Sequence, residues 1–547
     1  MNRVLRIDSK DNAAIALTDL ARGESVFLDG KDYTLRTPVA AKHKFVTSDL
    51  DVKDKVIMYG VTVGRARHPI AKGEALTILN LQHDTSRYDG RSGSYRWTPP
   101  DVDIWVDRTF DGYHRADGQV GTRNYWLVVP LVFCENHNIE TLRGALEDGL
   151  GYGQPNVYRE GVTKLIRLYK AGKLESGKPD YVGTTPDHKG ERVFENIDGI
   201  KFLIHQGGCG GTREDAEGLC GLLAGCIHNP NVAGATVLSL GCQHSQDVML
   251  FEELRKREPH LSKPVLLFEQ QKSGSEAALL TDAVYQTFLG LSEANKIARK
   301  PASIQHLTVG LKCGGSDGFS GITANPALGY VSDVLAVVGA RTILSEFPEL
   351  HGVEQSLIDR CQVPELGERF AKLMRDYASR AKAVRSGFEF NPSAGNIRDG
   401  LITDAMKSAG AARKSGSSPI QDVIDYPGYA TANGLNLLCT PGNDVECVTA
   451  QAAAGATVVL FTTGLGTPTG SPITPVVKIS SNSQLAMRME DVIDIDTGTI
   501  LTSGESIVEA GDRILEFVLD VAAGRKRTKA EAHGQSDFIP WKRGVSL

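Results

Sequence analysis

Apolar runs that end in glycines constrain this chain more than any other feature. "LKCGGSDGFSG" (residues 311–321) sets one thiol and one carboxylate inside a glycine loop. "FLIHQGGCGGTRED" (202–215) repeats the plan: an apolar run, glycines around a cysteine, then Thr212 and Asp215. Glycine costs backbone entropy on folding, so such clusters mark places where the backbone turns tightly or approaches something closely. A short buried strand, a glycine turn and a helix start form the unit of a parallel sheet, whose ligands bind beyond the strand C-termini. The Thr212–Asp215 spacing is a capping-box start, and the free amides of such a helix N-terminus attract anions.

Further runs share this texture: "NYWLVVPLVF" (124–133), "ATVLSLG" (235–241), "PVLLFEQ" (264–270), "RTILSEF" (341–347) and "ATVVLFTTG" (456–464). They alternate with helical patterns, which predicts one or two doubly wound, mainly parallel α/β domains. Residues 1–85 differ, with turn signals roughly every ten residues, the pattern of a small β-clip module. A polar, aromatic linker over 86–107 follows, then α/β units over 108–300 and 301–525, and a tail over 526–547.

The 547 residues carry a net charge of −6, which gives no basic field for nucleic acid. No apolar run reaches membrane-spanning length, and "MNRVLRIDSKDN" lacks the apolar core of a signal peptide. The expectation is a soluble, cytoplasmic protein that binds a small molecule, with self-association into a homo-oligomer left open. Nine cysteines without a C-x-x-C pair fit neither a disulfide framework nor a zinc ribbon.

Cys134, Cys209, Cys242 and Cys313 all end apolar runs. With His205 and Asp317 they offer soft and intermediate donors of the kind iron accepts. The competing reading is packed thiols and a turn aspartate. Arg115, Arg123 and Asn124 stand before the first long run, and arginine is the preferred bidentate partner of a carboxylate. A surface ion pair is the alternative there. In "FTTGLGTPTGSP" (461–472) the G-x-G-x-x-x-G spacing and Pro468 argue against a dinucleotide loop. Thr462, Thr463 and the backbone amides suit an organic anion instead, and Lys478 and Asn482 just beyond suit a carboxylate. His43, in "KHKF", lies in the N-terminal module.

Together "DGYHRADGQVGTRNYWLVVP", "HQGGCGG", "KCGGSDGFSGITANPALG", "PGNDVE" and "FTTGLGTPTG" resemble the altronate dehydratase/galactarate dehydratase family. The N-terminal stretch with "AKHKF" and "IMYGVTVG" resembles that family's SAF-type module. The resemblance implies a hydro-lyase that eliminates water from a sugar acid, with iron(II) as the usual activating metal. Manganese(II) is a substitute, and an iron–sulfur cluster on separate strand ends stays open. Cys134, His205, Cys209, Cys313 and Asp317 match family motifs; their roles follow from residue chemistry. Cys134, Cys209 and Cys313 are the expected metal ligands, and His43, His205 and Asp317 the catalytic groups. Arg123, Asn124, Thr463, Lys478 and Asn482 are the expected substrate contacts. One departure stands out: family modules often carry His-x-His-Asn near their end, whereas "LTILNLQHDT" keeps Asn80 and offers only His83. The leading substrate reading is D-altronate, converted to 2-keto-3-deoxy-D-gluconate. A galactarate or other sugar-acid dehydratase is the alternative within the class, and a non-catalytic sugar-acid binder the alternative outside it.

Overall fold

The computed structural model describes residues 3–153, 157–174, 192–544 and 546. The N-terminal module consists of small antiparallel sheets. One holds Val4–Leu5, Ala13–Ala16 and Lys44–Val46; another holds Lys55–Met58, Val61–Ala66 and Leu81–Gln82; a hairpin pairs Ser25–Leu28 with Lys31–Thr34. Alternating burial along Ser25–Leu28 shows one wet and one packed face, the period-two signature of a half-buried strand. The module does not close its core alone. Ala13, Ile15, Val46, Val56 and Met58 pack in one cluster with Phe319, Ile322, Ile402 and Met406 from the far half of the chain.

The body contains two all-parallel sheets. The smaller has the order Gly199–Phe202, Tyr125–Pro130, Val232–Ser239, Val265–Glu269. The larger, seven-stranded sheet runs Ile420–Ile424, Gly434–Leu438, Arg341–Leu344, Thr308–Cys313, Val458–Thr463, Val476–Ser480, Ile495–Asp496. Near-continuous apolar strands buried on both faces are what a helix-covered parallel sheet requires. In each sheet the first strand in sequence has later strands on both sides, so each has a topological switch point there. The strands Tyr125–Pro130 and Thr308–Cys313 occupy those positions; the first is followed by a loop that bears Cys134, and the second ends in Cys313 itself.

Three polar residues fix the relative direction of the sheets. Asn231 and Thr457 directly precede strands and Thr122 stands three residues before one, and they bond to one another: Thr122 Oγ1 donates to Thr457 O (2.8 Å), and Asn231 Nδ2 to the same carbonyl (3.1 Å). The strands therefore begin together, and their C-terminal ends share a side, since Asp444 reaches Lys312 at one sheet's end while Glu446, two residues on, lines the cavity at the other's. Helices Arg213–His228 and Asp444–Ala453 fill the layer between the sheets, in a core with Leu127, Val237, Ile343 and Phe461.

The tail is a strap rather than a loose end. Glu531 pairs with Arg123, Trp541 stacks on Tyr377 (5.4 Å between centroids), and the amides of Arg543 and Gly544 donate to Asp215. Met406→Ala should test the shared core between module and body. Truncating this buried side chain is expected to cost about 2–5 kcal/mol, read as a lower urea midpoint; an unchanged midpoint would contradict the shared core.

Candidate active site

The loop after Thr308–Cys313 meets the N-terminal module at Asp317. This carboxylate is fully buried. Its Oδ1 accepts from Ser481 Oγ (2.7 Å), Ser320 Oγ (2.9 Å) and the Ser320 amide (2.9 Å). Its Oδ2 takes Lys42 Nζ (3.0 Å) and Asn482 Nδ2 (3.1 Å). Lys42 Nζ also reaches Asp399 Oδ1 (2.9 Å), so the ammonium is held between two carboxylates. Burial opposes its charge, but Asp317 and Asp399 outweigh burial and raise its pKa above the ordinary lysine value. The glycines explain how the module comes so close. A Cβ on Gly318 or on Gly400 would lie 2.3 Å from the Lys42 carbonyl oxygen, so only glycine admits this loop. Next in sequence, His43 points Nε2 at the Arg398 carbonyl (3.0 Å). A carbonyl only accepts, so Nε2 carries the proton and Nδ1 keeps its lone pair.

Behind this loop lies a buried charge network. Lys312 pairs with Glu346 and with Asp444 (3.0 Å), Lys414 with Glu346 (2.8 Å), and Lys407 with Glu349 (2.9 Å). Cys313 Sγ donates to Glu349 Oε2 (3.2 Å) and accepts from Lys414 Nζ (2.7 Å). Burial, reinforced by Glu346 and Glu349, pushes this thiol up to about 12, so it stays protonated. Burial also opposes ionisation of Glu349, yet Lys407, Lys312 and Lys414 outweigh it and bring that carboxyl down to about 2. Further along the same wall, His351 Nδ1 meets Asp404 Oδ2 (2.8 Å), and the His83 ring lies 5.3 Å from that of His351.

A second centre lies at the C-terminal edge of the smaller sheet. Cys134, Cys209 and Cys242 follow three adjacent strands, and all three are exposed. Their loops touch: the Phe133 amide donates to Gly207 O (3.0 Å), and the His244 amide to Gly208 O (2.8 Å). A cavity of about 730 Å³ opens beside them, lined by His205, Cys209, Thr212, His244, Trp541 and Lys542. Thr212 and Asp215 form the capping box that their spacing predicts.

The expected site residues divide accordingly. Asp317, His43, Thr463 and Asn482 come to the module junction, with the Thr463 hydroxyl turned to the Gly466 amide (2.9 Å). Asp317 is saturated with donors, so it positions Lys42 and Asn482 rather than moving protons itself. Cys313 does not join Cys134 and Cys209: it is sealed in the other sheet, and Cys242 stands with them instead. His205 holds its own turn at the second centre rather than joining His43 at the module junction. Its Nδ1 accepts the Gly207 amide (3.1 Å) and its Nε2 donates to Pro130 O (2.8 Å), and burial lowers it to about 4.

Arg123 and Asn124 precede their strand and therefore lie at the opposite, N-terminal edge. Arg123 clamps Glu531 (2.7 Å), Thr122 O and Val521 O; Asn124 accepts from Arg115 and donates to Asn196 O. Lys478 sits inside a strand and binds Gln535 of the tail (2.8 Å); burial lowers it to about 8. Asn80 closes a local turn, accepting the Thr77 amide (2.8 Å). Sequence reasoning passed over Lys42, Ser481, Glu346, Glu349, His351, Asp404, Lys407 and Lys414. Of these, Lys42 was adjacent to a noted histidine and Ser481 to a noted asparagine; the others carry no local signal.

Comparisons with known proteins agree with this architecture. A family model for the D-galactarate/altronate dehydratase C-terminal domain matches residues 304–546. A model for the D-galactarate dehydratase/altronate hydrolase second domain matches 112–295, and one for the altronate/galactarate dehydratase SAF domain matches 2–84. An altronate dehydratase of Escherichia coli (strain K12) is 32% identical over 99% of both chains. An altronate dehydratase of Bacillus subtilis (strain 168) is 30% identical over 100% of both. A galactarate dehydratase (L-threo-forming) of Escherichia coli (strain K12) is 30% identical, over 97% of this chain and 94% of its own. The protein is thus a hydro-lyase, a dehydratase of sugar acids. It belongs to the altronate/galactarate dehydratase family.

Three measurements separate the structural from the functional residues. Asp317→Asn should cut kcat by about 100-fold through misplacement of Lys42, with KM changing less. Arg123→Ala should leave kcat of the folded protein intact but cost up to about 3–5 kcal/mol by taking the cation from largely buried Glu531, which would keep only Tyr125 and Thr528 as donors among the described residues. The opposite pattern would return Arg123 to substrate binding. Native alkylation followed by mass spectrometry should label Cys134, Cys209 and Cys242 and spare Cys313; a labelled Cys313 would contradict its sealed position.

Proposed function

We propose that this dehydratase acts on D-altronate, giving 2-keto-3-deoxy-D-gluconate in hexuronate catabolism, in the cytoplasm, with iron(II) as its metal and manganese(II) as a substitute. The observation that carries the reading is the junction at Asp317, where Lys42 and His43 from the module reach the strand-end loops of the larger sheet. Elimination of water from a 2,3-dihydroxy acid begins with a weakly acidic C2 proton. His43, with its Nδ1 lone pair free, is the base. Loss of that proton develops charge on the substrate carboxylate, and Lys42, preorganised between Asp317 and Asp399, is the cation offered to it. Asn482, fixed on Asp317 and Gly464 O, orients the polyol side of the loop. When bound, iron(II) supplies Lewis acidity toward the carboxylate. The C3–O bond then breaks as the C2–C3 double bond forms, the hydroxyl taking the proton held by His43 and leaving as water, and the enol that remains ketonises to the 2-keto-3-deoxy acid. Nine free cysteines suit a reducing compartment.

Substrate choice follows from the arginines. Galactarate has a carboxylate at both ends and calls for a second clamp, ideally a bidentate arginine. Arg115 and Arg123, the candidates from sequence, are spent on backbone carbonyls, Asn124 and Glu531. In an anaerobic panel of aldonates and aldarates scored for 2-keto-3-deoxy product, D-altronate should exceed galactarate in kcat/KM by at least about 100-fold, the penalty of a buried unpaired group. Comparable rates would overturn the altronate assignment and leave the hydro-lyase class untouched. His43→Ala should lower kcat by about 100-fold or more; wild-type turnover in that variant would remove His43 as the base. Chelation should abolish activity, and anaerobic iron(II) should restore it.

A further inference from the structure

We propose that His83, His351 and Asp404 form a divalent-metal site, with iron(II) or manganese(II) as the ion it takes. Three remote stretches of chain build it. His83 comes from the segment leaving the N-terminal module, His351 from the turn after the strand Arg341–Leu344, and Asp404 from the first turn of the helix Asp404–Ala412. One ligand atom from each lies within 4.8 Å of the others. Two of the three residues leave a buried polar atom unused. His83 Nδ1 and Asp404 Oδ1 are shielded from solvent and have no hydrogen-bond partner. Leaving such atoms unsatisfied costs roughly 1–3 kcal/mol each, and a shared cation satisfies both at once.

The donor chemistry selects the ion. Two imidazoles and one carboxylate form the set that non-haem iron(II) sites use, with positions left open for substrate. The surrounding field favours a cation. Glu354 and Glu389 act on His351, and Glu389 acts on His83, whereas Asp84 near His83 is already paired with Arg65 (2.5 Å). The nearby ammonium of Lys407 is already held by Glu349 (2.9 Å) and Asn391 Oδ1 (2.9 Å). Packing holds the parts in place: a Cβ on Gly352 would lie 2.9 Å from Thr85 Cγ2 and 3.1 Å from Ala405 Cβ, so the ligand-bearing segments are in close contact. Cys313, Glu346 and Glu349 also gather within 4.8 Å, but Lys312, Lys414 and Lys407 already occupy their carboxylates and exclude a second cation.

The inference deepens the metal requirement proposed above, and its test reads metal binding separately from turnover. The full chain, purified anaerobically, would be analysed for iron and inorganic sulfide, then stripped and titrated with manganese(II) followed by electron paramagnetic resonance. The wild type should bind about one ion per chain and melt at higher temperature with manganese(II). His83→Ala and Asp404→Asn should each weaken binding by at least about 10–100-fold and lose the metal-dependent melting shift. Cys209→Ser should keep both. If His83→Ala folds poorly, the melting shift in Asp404→Asn decides. Equal manganese(II) affinity in wild type and both variants would overturn the site. So would iron that arrives with sulfide and is lost in Cys209→Ser, which would move the metal to the exposed cysteines. A wild type that binds the ion through these residues but turns over no sugar acid would uphold this site and sink the substrate reading.

Discussion

The carboxylate of Asp317 gathers donors from three separated stretches of chain: its own loop through Ser320, the strand end at Ser481 and Asn482, and the N-terminal module through Lys42. Removing a carboxylate from water is affordable only when such donors replace its hydration. Each donor must therefore be delivered to one point, and this requirement sets the position of three loops and of the module itself. The glycines follow from the same demand, because the Lys42 carbonyl passes where side chains of residues 318 and 400 would stand. The entropy lost at these glycines is the cost of bringing the module's backbone against the buried carboxylate.

The network around Cys313 extends this logic inward. Lys312, Lys407 and Lys414 face Glu346 and Glu349 with the thiol among them, and Asp444 adds a partly exposed anion to Lys312. Buried pairs of this kind often contribute little net stability, since desolvation offsets attraction. Breaking one is expensive, however, so the set behaves as a unit. Glu346 marks the strain that holds it together: it sits at φ 66°, in the left-handed region that a non-glycine residue rarely adopts. That turn aims its carboxylate at both Lys312 and Lys414.

Much of this was legible in the sequence, for physical reasons that also explain the failures. Buried parallel strands need continuous apolar runs, so the strands behind Cys134, Cys209, Cys242 and Cys313 were visible, as was the glycine loop at Asp317. Direction was the missed rule. Arg123 and Asn124 stand before a strand, and a parallel sheet sends residues before and after its strands to opposite edges. Lys478 lies within a strand buried on both faces, so no alternation showed which way it points. The split of Cys313 from Cys134 and Cys209 depends on which sheet each strand joins, which apolar runs alone do not encode. His351, Asp404 and the lysines of the network come together only through tertiary packing across long stretches of chain.

The shared direction of the two sheets gives the two cysteine-bearing edges a common side. Thr122, Asn231 and Thr457 tie the strand beginnings together, so the loops of Cys209 and of Asp317 emerge at the same end. The helix Asp444–Ala453 stands between them: Asp444 at its start reaches Lys312 of the larger sheet, and Glu446 lines the cavity beside Cys209. The tail then closes the outer wall of that cavity through Trp541 and Lys542, while its Arg543 holds Asp425 beyond the larger sheet's edge strand. One short helix and one strap thus touch both edges, each anchored by buried or partly buried charge. The N-terminal module covers one of these edges and the C-terminal strap the other, so both ends of the chain are used to enclose loops that the two sheets alone would leave open to water.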